Sequence, residues 1–262
     1  MNQKKAMLVV SFGTSYEETR NKTIGAIEKE IAESYPDWEI RRAFTSGMIL
    51  RVLEKRDGLH IDNVTEAMEG LVQDGFRTVL IQPTHIINGD EYDKMVDAVK
   101  PYMEQFETIK IGEPLLSSSE DYEEVVKGVM AQLPQLQAEE ALVLMGHGTT
   151  HHTDAVYAAL DYRFKAMGYK NVFVGTVEGY PDFEQVSSMV DTYRPKKVIL
   201  MPFMVVAGDH AQNDMAGEEE DAWKTLFEES GYEVECILKG LGEFSEIRRL
   251  YLKHVADMLT EE

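Results

Sequence analysis

The stretches VLIQPTHIINGDEY (79–92) and VILMPFMVVAGDHA (198–211) decide the fold of this chain, because they share one pattern. Each is an apolar, β-rich run that ends in proline, followed by a second apolar segment and then by Gly-Asp. The segments LVVSFGTS (8–15) and VLMGHGTT (143–150) resemble each other in the same way. Internal self-similarity of this kind indicates duplication of one structural unit.

The two copies differ in the chemistry of their loops. Where the first copy has Phe12, the second has His147, and where the first has Glu91, the second has His210. Packing alone does not favour histidine at two loop positions of one copy. The substitutions therefore indicate a functional site in the second half of the chain.

Strand-like and helix-like patterns alternate along both halves. The strand candidates are continuous apolar runs, which is typical of parallel strands covered by helices on both faces. We predict an α/β fold with two doubly wound, parallel-sheet (Rossmann-like) domains, related by internal duplication and facing each other across a cleft. The predicted strands are residues 6–11, 39–44, 78–82, 108–112, 141–145, 172–177, 197–201 and 234–238.

Two capping-box patterns, Ser15 with Glu18 and Asn63 with Glu66, indicate helix starts. The first is expected to open one continuous helix through the apolar positions that follow it. Gly75 is expected to close the helix that Asn63 opens. Further helices are predicted at residues 91–105, 122–133, 153–167, 183–193, 212–230 and 244–259.

These elements divide the chain into an N-terminal domain at residues 1–120 and a C-terminal domain at residues 121–243, which carries the site. The acidic, proline-containing segment 117–140 is expected to join them. The last helix, within residues 244–262, is expected to pack back on the first domain.

Composition excludes several classes of function. The 262 residues are 44% hydrophobic and 28% charged, as in globular proteins. Lys and Arg number 26 against 47 Asp and Glu, and a net charge of −21 argues against nucleic acid as a partner. No run approaches the ~18–20 apolar residues of a membrane span, so we expect a cytoplasmic protein. The single cysteine, Cys236, excludes an intramolecular disulfide or a cysteine-based metal cluster.

Titratable side chains follow three consecutive strands of the second half. His147 follows the first, Glu178 the second and His210 the third, at separations of 178−147=31 and 210−178=32 residues. Each separation is about one helix plus one strand, and ligands of open parallel sheets bind beyond the carboxyl ends of the strands. The three side chains are therefore predicted to share one rim.

Two imidazoles and a carboxylate suit a borderline divalent ion such as Co²⁺, Ni²⁺, Fe²⁺ or Zn²⁺. Histidine also accepts protons near neutral pH. The neighbouring Gly146, Gly148 and Gly208 favour sharp turns and the close approach of a bulky ligand. Each side chain alone could be an ordinary loop residue, and the argument depends on their occurrence together.

Other polar residues are weaker candidates. His151 and His152 open a helix and are expected to face solvent, and His60 and His254 are expected on the surface. The segment SFGTS (11–15) could offer amide and hydroxyl groups to an anion. It has neither the spacing nor the lysine of a phosphate-binding loop, and the chain has no Gly-x-Gly-x-x-Gly run. We therefore expect no nucleotide.

These residues carry a family resemblance that extends over nearly the whole chain. The sequence resembles the anaerobic, single-chain sirohydrochlorin cobaltochelatases of cobalamin biosynthesis, whose architecture is similar to that of ferrochelatases. The segments that carry the resemblance are LVVSFGTSYEET (8–19), RAFTSGMILR (42–51), HIINGDEYDK (85–94), MGHGTTHH (145–152), LMPFMVVAGDHAQNDM (200–215) and WKTLFEESGYEVECILKGLGE (223–243).

The resemblance implies a chelatase-like fold with the tetrapyrrole held between two domains and Co²⁺ as the substrate metal. It implies His147, Glu178 and His210 as metal ligands, with His147 also a proton acceptor. Glu91 matches a family acid on the opposite cleft wall, with a catalytic role. The tetrapyrrole cleft is expected to include Ser11, Thr14, Arg51 and His85. A homo-oligomer is compatible with the sequence.

The acidic balance of the chain contrasts with its implied substrate, because sirohydrochlorin carries eight carboxylates. Basic groups must then face that substrate, and the best candidates are Arg41, Arg42, Arg51, Lys55 and Arg56. These five residues are equally well explained as ordinary charges on the protein surface.

Two other interpretations remain open. A His₂Glu zinc metallohydrolase predicts tightly bound zinc and no large hydrophobic cleft. A non-catalytic carrier of metal or tetrapyrrole uses the same residues without turnover. Only a chelatase changes the absorption spectrum of the pigment catalytically in the presence of Co²⁺.

Overall fold

The computed structural model describes residues 4–260, which form two compact units. One unit runs to Ser117 and takes in the chain from Ser245 onward, and the other is Ser118–Phe244. Among residues 4–260, no helix is both long and apolar enough to cross a bilayer.

The first unit contains a parallel four-stranded sheet with the order β2-β1-β3-β4. The central strand β1 is buried from its second residue to its last, whereas the edge strands β2 and β4 are partly exposed. The strands are β1 (Lys5–Ser11), β2 (Glu39–Phe44), β3 (Thr78–Pro83) and β4 (Thr108–Ile111).

The second unit repeats this arrangement with the order β6-β5-β7-β8, again entirely parallel. The predicted fold class is confirmed, and each predicted strand lies within one or two residues of an observed one. The strands are β5 (Glu140–Gly146), β6 (Val172–Thr176), β7 (Lys197–Pro202) and β8 (Glu233–Cys236).

Helices cover both faces of each sheet, as continuous apolar strands require. The helices of the first unit are α1 (Glu17–Lys22), α2 (Ile24–Ser34), α3 (Gly47–Asp57), α4 (Val64–Gln73), α5 (Asp90–Val99) and α10 (Ser245–Thr260). Those of the second are α6 (Ser119–Gln132), α7 (Ala155–Ala166), α8 (Phe183–Tyr193) and α9 (Trp223–Glu229).

In both sheets the chain moves outward in one direction and then returns past the first strand, so the strand order reverses between β1 and β3 and between β5 and β7. Such a reversal opens a crevice at the carboxyl ends of the strands. The loops that follow β1 and β3, and those that follow β5 and β7, therefore hold the candidate residues of each unit.

Helix α10 packs within the first unit, where it contacts α2 and β3. The Tyr251 side chain is fully buried, and its hydroxyl donates to the Thr84 carbonyl at 2.7 Å. Lys110 donates to the Met258 carbonyl at 2.8 Å, and Arg248 pairs with Glu30 at 2.6 Å. The chain thus returns to its first sheet after it completes the second.

The predicted capping box at Ser15 is wrong. The N-cap of α1 is Tyr16, without a side-chain cap, and the Ser15 carbonyl instead accepts from Arg56. The continuous helix predicted there divides at Thr23, whose hydroxyl donates to the Thr19 carbonyl at 2.6 Å. A side chain that competes for a helical carbonyl in this way bends or interrupts a helix.

The helix predicted at 212–230 is also wrong. Residues Ala211–Met215 form a short π-helix, and α9 begins only at Trp223. At Gly217 an added Cβ would lie 2.2 Å from the Asn213 carbonyl, so this glycine lets the chain leave the π-helix closely folded on itself. Further upstream, the helix predicted at 91–105 ends at Val99 and continues as a 3₁₀-helix to Gln105, with Pro101 in its first turn.

Candidate active site

His147 lies in the loop after β5, directly after a tightly packed glycine. Gly146 lies on the Tyr157 ring, where a Cβ would be 2.3 Å from a ring carbon. Burial raises the pKa of Tyr157 to about 12, and the backbone amides of Gly148 and His147 beside its oxygen oppose that shift. The Nδ1 atom of His147 lies 2.9 Å from the Gly148 carbonyl oxygen. A carbonyl only accepts, so Nδ1 carries the hydrogen and Nε2 carries the lone pair.

His210 is oriented in the same sense. It immediately precedes the π-helix Ala211–Met215, and its Nδ1 lies 2.7 Å from Oδ2 of Asp214. A carboxylate that accepts the Nδ1 hydrogen fixes the tautomer and leaves the Nε2 lone pair for a ligand. Short π-helical segments often occur at functional sites.

The structure brings His147, Glu178 and His210 together, as the sequence predicts. One potential ligand atom from each of the three lies within 4.8 Å of the other two. The two imidazole rings are 4.7 Å apart and perpendicular, at 89°. Nδ1 of His147 lies 3.7 Å from Oε2 of Glu178. The side chains are 40%, 57% and 31% exposed, so an ion could reach them from solvent.

A partly buried acid, Asp154, connects the two loops that carry His147 and Glu178. Asp154 accepts from the Thr149 amide at 3.0 Å through Oδ1 and from the Tyr180 amide at 2.5 Å through Oδ2. The Glu178 amide also donates to the His147 carbonyl at 2.8 Å. These bonds determine the separation of two of the three candidate ligands.

Two glycines allow the loops to approach this closely. Gly148 has φ +83°, and a Cβ there would lie 2.4 Å from the Gly179 nitrogen. A Cβ on Gly179 would lie 2.3 Å from Asp154. Both side-chain additions clash with fixed atoms, so glycine is required at both positions. The sequence indicated Gly148 but not Gly179 or Asp154.

The first unit holds a second group of polar side chains at the corresponding edge. Thr45 Oγ1, both ring nitrogens of His85 and Glu91 Oε2 are buried without a hydrogen-bond partner among the described residues. Burial lowers the pKa of His85 to about 4, despite the opposing charge of Glu91. Burial acts to raise the pKa of Glu91, but its ion pair with Lys94, together with the nearby Thr45 hydroxyl and His85, holds that pKa below its usual value. At neutral pH this group is therefore a neutral imidazole beside a carboxylate.

Unsatisfied buried polar atoms of this kind are rare in folded proteins, and each calls for a partner such as a water molecule or a ligand. Lys94 binds only the other oxygen of Glu91, at 2.5 Å. The cluster of Thr45, His85 and Glu91 is thus suited to bind a ligand that has both donors and acceptors.

The remaining residues predicted for the tetrapyrrole cleft lie in the same unit but differ in access. Ser11 and Thr14 are 1% and 3% exposed, and their hydroxyls bind Thr84 and the Tyr16 amide. Arg51 is exposed on α3. The hydroxyls therefore hold the loop after β1 in shape, whereas Arg51 is available to a ligand.

The histidines that belong to neither polar cluster make contacts of other kinds. His254 is buried, with Nδ1 at 3.2 Å from the Glu113 carbonyl, so its predicted surface position is wrong. His151 caps the 3₁₀ turn that precedes α7, through its Nδ1 and the Thr153 amide. His60 lies near Asp62 and Glu66 on an exposed surface, where Glu66 is also part of the capping box of α4.

Comparison with solved structures first identifies the class of fold, an α/β fold that this chain shares with two proteins of known structure. The fold matches SirB from Bacillus subtilis with Fe³⁺, with a TM-score of 0.67, 16% identity and coverage of 98% of this chain and 96% of that one. It also matches CbiX, the terminal enzyme for biosynthesis of siroheme in denitrifying bacteria, with a TM-score of 0.57, 15% identity and coverage of 97% and 99%. At these identities the likeness establishes the fold.

The particular family follows from the sequence, since residues 5–260 match the cobalt chelatases called CbiK. The chain is 45% identical over 259 residues to the sirohydrochlorin cobaltochelatase of Salmonella typhimurium, covering 98% of this chain and 97% of that one. It is 31% identical to the sirohydrochlorin cobaltochelatase CbiKC of Nitratidesulfovibrio vulgaris, covering 96% and 89%. This chain belongs to the CbiK family of cobalt chelatases, and the resemblance in its sequence is confirmed.

Proposed function

We propose that this enzyme inserts Co²⁺ into sirohydrochlorin and releases two protons. The observation that carries the proposal is the cluster of His147, Glu178 and His210 at the carboxyl edge of the second sheet, in a chain of the cobalt chelatase family. Both named relatives are sirohydrochlorin cobaltochelatases. Cobalt and the tetrapyrrole are both substrates in this reaction.

The three side chains are proposed to hold the ion before transfer. Imidazole nitrogens bind Co²⁺, and the Glu178 carboxylate offsets its charge while coordinated waters leave. The set contains no thiolate, which would retain the ion too strongly for release to the ring. The same ligands accept Ni²⁺, Fe²⁺ and Zn²⁺, so we propose these ions as alternative substrates in vitro.

Metallation removes two pyrrole protons, and the proposal assigns an acceptor in each unit. Neutral His147 has one ring nitrogen with a lone pair, and this nitrogen can bind either the metal ion or a proton but not both at once. His147 therefore accepts a proton as the ion passes from the protein to the ring. Glu91 accepts the other, since its lowered pKa keeps it ionised at neutral pH and its Oε2 has no hydrogen-bond partner among the described residues.

The polar groups of the first unit are proposed to orient the ring. The two unpartnered nitrogens of His85 offer one donor and one acceptor, which suits pyrrole N–H groups or ring substituents. Ser11 and Thr14 contribute through the shape of their loop, because their hydroxyls are already bound.

The test is to mix the purified enzyme with sirohydrochlorin and Co²⁺ and to record the absorption spectrum. A chelatase converts many equivalents of pigment to the cobalt form. A carrier changes at most one equivalent per protein. A metallohydrolase leaves the pigment unchanged, and either of these results would overturn the proposal.

Replacing His147 or His210 by alanine should lower cobalt insertion by about a hundredfold or more, the loss expected for a ligand or a general base. Both side chains lie in loops and are partly exposed, so the fold should be retained, which circular dichroism checks. His60→Ala, in the exposed cluster with Asp62 and Glu66, is the matched control and should keep wild-type turnover. Near-wild-type turnover of either site variant would contradict the assignment.

A further inference from the structure

One side of helix α3 is exposed and carries both apolar and cationic side chains. Met48, Arg51, Val52 and Lys55 are spaced three and four residues apart, so they share one side of the helix, which we call the α3 face. Met48 is 61% exposed and Val52 36% exposed, and Arg51 and Lys55 are also exposed. Leu53 is fully buried, so α3 packs on its unit through a different side.

The α3 face lies at the carboxyl edge of the first sheet. The Ser46 amide, at the start of α3, donates to the Phe12 carbonyl at 3.2 Å. Arg56, in the last turn, donates to the Ser15 carbonyl at 2.5 Å. Phe12 and Ser15 both belong to the loop after β1, beside the reversal of strand order where open parallel sheets bind ligands. The helix therefore borders the binding edge of its unit.

Ion pairing separates the five basic side chains of this region into two groups. Three are already neutralised by acids of the same unit: Arg41 by Glu39 and Asp74, Arg42 by Glu28, and Arg56 by Asp57. Arg51 and Lys55 have no acidic partner within 4.0 Å in the part of the chain that the structure describes.

The absence of acidic partners for both Arg51 and Lys55 among the described residues is unusual in so acidic a protein. Like charges four residues apart destabilise a helix slightly, and the chain carries a net charge of −21, so carboxylates to neutralise them are plentiful. Two adjacent cations left without partners beside exposed apolar groups provide a surface complementary to a flat apolar ligand with acidic substituents.

We propose that the α3 face binds one edge of the tetrapyrrole substrate. Met48 and Val52 contact the apolar ring, while Arg51 and Lys55 pair with carboxylates of its side chains. This inference rests on the proposed function and specifies which groups overcome repulsion between an acidic enzyme and an acidic substrate. The remaining basic residues of the region stabilise the protein and do not contact substrate.

The first test is the double variant Arg51→Gln with Lys55→Gln, titrated with metal-free sirohydrochlorin at low and physiological salt. Exposed ion pairs are individually weak and screened by salt. We expect affinity to fall about tenfold at low salt, and the dependence of affinity on salt to become shallower. Lys22→Gln with Lys29→Gln, on α1 and α2 of the same unit, makes the same change in net charge and should leave affinity within about twofold.

The second test uses porphyrins with eight and with two carboxylates. The charge variant should lose affinity for the octacarboxylate and keep it for the dicarboxylate, whereas Met48→Ser with Val52→Ser should weaken both. Unchanged affinity of the charge variant for the octacarboxylate would overturn the inference. A change from dimer to monomer with unchanged affinity would overturn it too, because the face would then be an interface between copies.

These outcomes are separate from failure of the proposed function. Wild-type enzyme that binds the pigment but inserts no cobalt refutes the chelatase proposal, and the binding comparison still tests the α3 face. Wild-type turnover combined with wild-type affinity in the charge variant refutes only the α3 face.

Discussion

At the scale of single residues, Asp214 determines how His210 can act. Its carboxylate is 2.7 Å from Nδ1 of His210, and His210 immediately precedes the π-helix that contains Asp214. Carboxylates in this position orient metal-binding histidines and raise the basicity of the opposite nitrogen. We therefore expect Asp214 to be a positioning residue, which would act on a bound ion through His210.

Asp214→Ala should weaken Co²⁺ binding about 10- to 100-fold, because the His210 ring loses its fixed tautomer and orientation. Asp214→Asn should recover part of the loss, since the amide oxygen can still accept the Nδ1 hydrogen. Titration of the metal-free enzyme with Co²⁺, followed by its visible ligand-field bands, measures both. Asn213→Ala, which removes only the 3.0 Å contact with Asp209, is the control. Equal affinities for all three variants would mean that the contact does not orient the ligand.

His85 should impose a pH dependence on folding. Burial lowers its pKa to about 4, below the ordinary 6.5, so between these values the unfolded chain binds more protons than the folded one. Stability is then highest above pH 6.5 and falls as the pH decreases toward 4, by up to about 3 kcal/mol from this group.

Urea unfolding of wild type and His85→Gln at pH 7 and pH 5 measures this contribution. The loss of free energy of unfolding between the two pH values should be smaller in the variant, which has no imidazole to protonate. His60→Gln alters an exposed histidine and should keep the wild-type pH dependence. Parallel pH profiles for wild type and His85→Gln would show that His85 is accessible to protons in the folded state.

The sequence predicted that the three candidate ligands lie together, because strand-end position and residue type indicate a site. His147, Glu178 and His210 follow three consecutive strands, and parallel topology places them on one rim. The burial of His254 and the bond of Asp154 to two loops were not predictable in the same way. Both depend on contacts between residues distant in sequence, such as His254 with Glu113.

At the scale of elements, Asp154 joins the loops after β5 and β6. It accepts two backbone hydrogen bonds, from the Thr149 amide at 3.0 Å and from the Tyr180 amide at 2.5 Å. Asp154→Ala should lower the free energy of unfolding by about 2–3 kcal/mol, the effect expected for lost bonds to a charged group. Cobalt affinity should fall with it, because the His147 and Glu178 loops separate.

Asp154→Asn can keep one of the two acceptors and should give an intermediate loss in both measurements. Urea unfolding and Co²⁺ titration of the same preparations check the two effects. Reduced stability with wild-type cobalt affinity would show that the bridge supports the fold without positioning the ligands.

The local sequence predicts where a helix begins only when hydrogen bonds within that segment form the cap. The capping box of Asn63 and Glu66 is confirmed, because the Asn63 amide donates to the Glu66 carboxylate at 2.9 Å and the Glu66 amide donates to the Asn63 side-chain oxygen at 3.0 Å. The same spacing at Ser15 does not cap, because Arg56 from α3 fixes that loop through the Ser15 carbonyl. Local rules therefore identify a compatible cap, and tertiary contacts decide whether it forms.

At the scale of the whole molecule, the duplication gives two sheets of identical strand order but unequal chemistry. The cluster proposed to bind the metal lies in the second unit, and the corresponding edge of the first holds Thr45, His85 and Glu91. Duplication thus supplied two equivalent strand-end edges, and substitution at a few loop positions made them different. The pattern of apolar runs that is repeated in the two halves made the fold predictable, whereas each site depends on single residues.

The return of α10 to the first unit should make the stability of that unit depend on the last residues of the chain. Tyr251→Phe leaves the buried Thr84 carbonyl without its donor and should cost about 1–3 kcal/mol, and Tyr251→Ala adds a cavity and should cost about 3–5 kcal/mol. Hydrogen exchange read by mass spectrometry should show faster exchange around β3 and α2. Protection of β5 and β7 should remain, and Co²⁺ should still bind the second unit. A uniform loss of protection over both units would mean that they unfold as one, and that α10 stabilises the molecule as a whole.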